Sequence, residues 1–140
     1  MNNLQKHAHW LLRIALASVF IFHGLLKLTN LEGFAQMLPI SYTEVVLVAL
    51  AEAGGGLLVL FGGLGTTRLF DLATRIGAAL NIPVMLGAIS MIHWGRWNFV
   101  PNESHPMGGF EFQAVLLLIM LYMVIVGNRG ADKAQTDAAG

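Results

Sequence analysis

Cysteine is absent from this chain of 140 residues, which excludes disulfides, thiolate metal sites, iron–sulfur clusters and thiol redox chemistry within it. Charge is scarce as well. Charged residues make up 11% of the chain, against about a quarter in an ordinary soluble domain. Eight basic and eight acidic residues cancel to a formal net charge of zero. No basic excess is left to neutralise phosphates, which argues against nucleic acid as a partner. What the chain has instead is apolar bulk, with 56% hydrophobic residues. Such a composition at this length points to one small integral membrane protein in contact with a lipid bilayer.

A spanning helix needs roughly 20 mostly apolar residues, and four stretches approach that length. They run over 10–28, 45–64, 72–94 and 110–127. The predicted class is therefore all-α, a bundle of four transmembrane helices forming one domain over 1–128, followed by a small polar tail over 129–140. The links 29–44, 65–71 and 95–109 read as loops, the last dense in the breakers Pro101, Pro106, Gly108 and Gly109. Lys6, Arg13, Arg68, Arg75, Arg129 and Lys133 flank one side, and only Lys27 and Arg96 the other. That bias places both termini and the tail in the cytoplasm. Arg13 interrupts the first apolar run and no small-residue cleavage site follows it, so the run reads as a retained helix.

Ionisable groups inside apolar runs carry the most information, because each costs about 2.5–3.5 kcal/mol at a helix centre. The first helix holds Arg13, His23 and Lys27, the last two on one face at i and i+4. The second holds Glu52, next to Gly54, Gly55 and Gly56. With a rise of 1.5 Å per residue, His23 and Glu52 lie roughly 10 and 12 Å below the same surface, so the two are expected to meet. The candidate polar or proton site is thus His23, Lys27 and Glu52. Arg13 and Arg75 read as cytoplasmic-side anchors, and Trp10, Trp94 and Trp97 as an aromatic belt. Glu111 and Tyr122 share a face of the fourth helix, separated by about 20° of rotation. The glycines lie inside apolar helices and read as packing positions. Pro83 removes a backbone donor from the third helix and is expected to bend it.

Arg13, then His23-Gly24 and Lys27-Leu28, resembles the first helix of the DoxX family. Glu52, the Gly54–Gly56 run and the Gly62-Gly63-Leu64-Gly65-Thr66-Thr67-Arg68 stretch are similar to that family's second helix and the turn after it. The resemblance implies a four-helix protein of the bacterial inner membrane. It also implies association with membrane oxidoreductases, including subunits of thiosulfate:quinone oxidoreductase, or an accessory role toward redox enzymes.

Three functions follow as expectations. In the first, the chain is a quinone-interacting or accessory subunit of a membrane oxidoreductase. It carries no cofactor of its own, and electrons come from a partner subunit within a homo- or hetero-oligomer. His23, Lys27 and Glu52 would then serve proton chemistry, while Glu111 and Tyr122 would line the quinone cleft. In the second, the polar groups are only a clasp in a non-catalytic scaffold or assembly partner. The third is a proton-coupled carrier of a small solute, which at this length needs an oligomer.

Overall fold

The computed structural model describes residues 7–128 of the chain. The predicted tail over 129–140 lies outside the described residues, together with Lys6, Arg129 and Lys133. Helix α1, His9–Thr29, is a mostly apolar stretch rich in Leu, Ile, Ala and Phe, interrupted by Arg13 and, near its far end, by His23 and Lys27. It stops at Asn30, whose backbone leaves the helical region (φ −152°, ψ 59°). The Asn30 side chain then caps a short helix α2, Leu31–Met37, by accepting from Gly33 N at 3.1 Å. The extended Leu38 precedes Pro39 and ends α2 there. Helix α3, Tyr42–Gly62, opens with a capping box in which Ser41 and Glu44 satisfy each other's backbone donors. Helix α4, Arg68–Ala88, runs through Pro83 and continues as a π-helical turn, Ile89–His93. Helix α5 is Glu111–Val126 and ends on Gly127 with φ 58°.

Among the described residues there is no strand, as the long apolar runs require. Three features differ from expectation. The stretch over 29–44 is not a plain loop, because Asn30 caps a real helix within it. Helices α3 and α4 also begin ahead of their apolar runs. Ser41 and Thr67 adopt extended N-cap conformations, so the polar first turns are already helical. Helices α1, α3 and α4 are each long and apolar enough to cross a membrane. At 16 residues, α5 is a shorter apolar helix, because the breakers before it delay its start to Glu111.

The long helices pack in antiparallel succession, α1 on α3, α3 on α4 and α4 on α5, with lighter contact between α1 and α5. Leu16, Phe20, Val59, Ala78, Met85, Leu116, Met120 and Met123 form the core. Large apolar side chains cover the outside too, including Leu11, Phe22, Leu47, Leu57, Leu118 and Ile125. A surface of that kind is covered by lipid and not by water. In lipid, helices associate through close packing more than through apolar burial, and glycine makes that possible. A Cβ on Gly24 would sit 2.5 Å from Ala53 N and 2.8 Å from Ala49 O, so α1 and α3 touch backbone to backbone. Gly55 meets Gly77 O and Asn81 in the same way across α3 and α4.

One end of the bundle is tied by Arg13, which is 2% exposed. Its Nη1 donates to Val59 O at 2.7 Å and to Thr74 Oγ1 at 2.8 Å. Its Nη2 donates to Asn128 Oδ1 at 2.6 Å, and its Nε to His9 Nδ1 at 3.1 Å. Asn128 in turn donates to Gly62 O, Gly65 O and, through its backbone, Asp71. The expectation of a surface anchor at Arg13 is therefore corrected. The side chain turns inward because four convergent acceptors replace the water it would otherwise seek. Arg75, half-buried, bonds Asp71 and the carbonyls of Val124, Ile125 and Val126 at the end of α5.

Two outcomes are expected of the purified protein in detergent. Gly24→Leu should lower stability by about 1–3 kcal/mol through overpacking, while Gly54→Ala, where a Cβ meets nothing within 4 Å, should be near neutral. Arg13→Met leaves the Val59 carbonyl and Asn128 short of donors and should cost at least about 2 kcal/mol. Thermal unfolding followed by circular dichroism checks both.

Candidate functional site

The opposite end of the bundle is hollow. A cavity of about 370 Å³ lies among α1, α2, α3, the end of α4 and the start of α5. That volume is within the range of small-molecule sites, about 300–1,000 Å³. Most of its lining is apolar, with Val19, Phe20, Val48, Val84, Met85 and Leu116 as examples. Polar side chains also border it, and two groups of them are bonded to one another.

The first is an ion pair. Lys27 Nζ, on the last turn of α1, donates to both carboxylate oxygens of Glu52, at 2.9 and 2.7 Å. Both side chains are largely buried, 12% and 7% exposed. Glu52 sits on α3 between Ala49 and Ala53, the residues Gly24 packs against, and Lys27 reaches it from a position one turn further along α1. Lys27 Nζ also lies 5.7 Å from the centre of the Phe34 ring, within cation–π range. His23 lines the same cavity one turn back on α1 but stays exposed and makes its ring contact with Phe22. The expected meeting of His23 with Glu52 is corrected accordingly. Lysine, with the longer side chain, reaches across from the next turn of α1 and takes the carboxylate.

The second polar place is His93, buried at the end of the π-helical turn. Its Nδ1 lies 2.9 Å from Gly108 O, and its Nε2 lies 3.0 Å from Gln113 Nε2. A carbonyl can only accept, so in the neutral ring the proton sits on Nδ1 and the Gln113 amide donates to Nε2. Both ring nitrogens are thereby used, and Gln113 Oε1 is left buried with no partner. Gly108, with φ 77° and no room for a Cβ against Phe99 O, lets the loop bring its carbonyl to the imidazole.

The other two expected residues stand elsewhere. Glu111 accepts weakly from Phe99 N at 3.4 Å and Tyr122 is 50% exposed; neither lines the cavity. Their shared helix face was legible, but that face points away from the hollow. Phe112 and Gln113 line it instead. Sequence reasoning also passed over Glu44, which borders the cavity on the stripe Glu44, Val48, Glu52. The spacing of Ser41 and Glu44 was the available signal for that turn. Among the described residues, no group of three or more His, Asp or Glu side chains could hold a metal ion.

The DoxX family model matches residues 8–94, from α1 to the end of the π-helical turn. A Bacillus subtilis (strain 168) protein named "Putative oxidoreductase CatD" is 33% identical over 134 residues, covering 92% of this chain and 86% of its own length. No solved structure matches the chain.

The ion pair has a measurable signature. Lys27→Met alone strands a buried carboxylate and should destabilise the protein by about 3–5 kcal/mol, whereas adding Glu52→Leu should recover most of that loss. A double-mutant cycle on thermal stability reads the coupling.

Proposed function

The chain belongs to the DoxX family, and on that premise we propose that it is a quinone-interacting or accessory subunit of a membrane oxidoreductase. The observation that carries this reading is the cavity with a buried Lys27–Glu52 pair in an otherwise apolar lining. The relative's name adds the oxidoreductase association, and family membership together with three helices of spanning length makes the chain a multi-pass membrane protein. In the proposed arrangement α5 makes the fourth crossing, both termini face the cytoplasm, and the host membrane is the bacterial inner membrane. The cavity then opens toward the outer leaflet, because it lies at the end of the bundle away from the Arg13 tie.

The residues fit a quinone ring. Such a ring needs an apolar slot with hydrogen-bond donors for its oxygens, and it supplies the electron- and proton-accepting chemistry when bound. Lys27 is placed to donate to a ligand oxygen at the cavity wall, and Glu52 to hold or release a proton beside it. Phe20, Met85 and Leu116 exclude water around them. Electrons come from a partner subunit, since the sequence carries no cofactor motif.

A second reading has its own support. Both Glu52 oxygens are already satisfied by Lys27, as a purely structural clasp requires. One experiment separates the two. With the protein in nanodiscs, decylubiquinone should bind the wild type, and the folded Lys27→Met/Glu52→Leu variant should bind it at least about tenfold more weakly, the loss expected from one hydrogen bond to a charged group. Equal binding by the two proteins makes the pair a structural clasp beside a quinone site, and no binding by either overturns the quinone reading and leaves the clasp alone.

A further inference from the structure

The cavity walls are not equally held. Phe20, Met85 and Leu116 belong to the bundle core and cannot move without repacking it. The wall formed by Phe34, Met37, Leu38, Pro39 and Ile40 is different. Helix α2 has seven residues and none of them is buried. A helix that short is far below the ~12–15 residues at which a helix is even marginal on its own. Its two ends are non-helical joints, Asn30 at φ −152°, ψ 59° and Leu38 at φ −96°, ψ 149°. The caps do not tie it down either. Asn30 bonds within α2, to Gly33, while Ser41 and Glu44 bond each other at the head of α3. Among the described residues, no hydrogen bond or ion pair joins residues 31–37 to another helix. Besides packing on α3 and, more lightly, on α1, what α2 has from the bundle side is the Lys27 ammonium against the Phe34 ring, at 5.7 Å. The same ammonium binds Glu52.

We infer that α2 is a hinged wall of the cavity through which its ligand enters, and that Lys27 is the latch, joining the wall through Phe34 to the buried acid Glu52. The inference rests on reading the cavity as a ligand site. Every side chain the wall presents is apolar, and Met37 at its end is 56% exposed. The ligand that passes is therefore a lipophilic ring compound arriving from the bilayer interface, not a solute from water. A ligand packed under Phe34 and Met37 holds the wall shut. Loss of the Lys27–Phe34 contact lets it swing. The thioether at Met37 adapts to rings of different shape.

Because the chain has no cysteine, two introduced ones report cleanly. Gln36→Cys on α2 and Ser90→Cys on the π-helical turn are both exposed positions outside the cavity lining. Spin labels at the two, with the full chain in nanodiscs, should give a main short distance and a minor longer one. Lys27→Met should raise the longer population about two- to fivefold, the size expected for losing a cation–π contact. Phe34→Leu should do the same while leaving the ion pair whole, so the test survives if Lys27→Met fails to fold. Decylubiquinone in excess should collapse the distribution to the short distance. A single narrow distribution, unchanged by Phe34→Leu and by ligand, overturns the hinged wall. If the variants shift the labels but decylubiquinone neither binds nor shifts them, the wall stands and the quinone reading falls. If decylubiquinone binds with no change in distance, the quinone reading stands and the wall falls.

Discussion

A guanidinium buried among apolar helices is the constraint on which the rest depends. Arg13 carries its charge into the bundle and donates to four neutral acceptors there, which reach it from several directions at once. Val59 O comes from α3, Thr74 from α4 and Asn128 from the residues just after α5. Four chain segments that share no local sequence are thereby brought to one level and one rotation. Once that end is registered, rigid helices carry the register to the other end, and the close glycine contacts at Gly24, Gly55 and Gly77 keep it.

The hollow at the far end is the counterpart of that tie. Helices α1 and α5 touch lightly, and the polar residues there pair across gaps and do not close them. Lys27 and Glu52 neutralise each other on one wall, and His93 is hydrogen-bonded to Gln113 and the Gly108 carbonyl on another. The cavity is apolar yet never far from a hydrogen-bonding group, which is the character of a site for an amphiphilic ring compound. Membership of the DoxX family constrains the fold and the membrane setting; the chemistry has to be argued from these side chains.

Part of this was legible residue by residue. Glu52 stood out because a lone carboxylate in an apolar run must find a partner, and Lys27 was among the candidates. The choice between Lys27 and His23 turned on side-chain reach across the α1–α3 contact, which a depth estimate from helix rise does not address. The short helix α2 was hidden because seven residues carry too little periodicity to separate from a loop. Arg13 was read as an anchor because, near a helix end, snorkelling and inward burial look alike in sequence. Its partners lie 61 and 115 residues away.

From the sequence alone come the all-helical class, the placing of the apolar runs, the inventory of intramembrane charges and the likeness to DoxX. These follow from hydropathy and spacing along the chain, which need no knowledge of what faces what. The tertiary structure decided which charges pair, that Arg13 points inward, that His93 meets Gln113, and that Phe112 and Gln113, not Glu111 and Tyr122, border the cavity. Each of these depends on the rotation of a helix about its own axis. That rotation is set by the glycine contacts and the Arg13 tie across the bundle, not by the residues on either side in the chain.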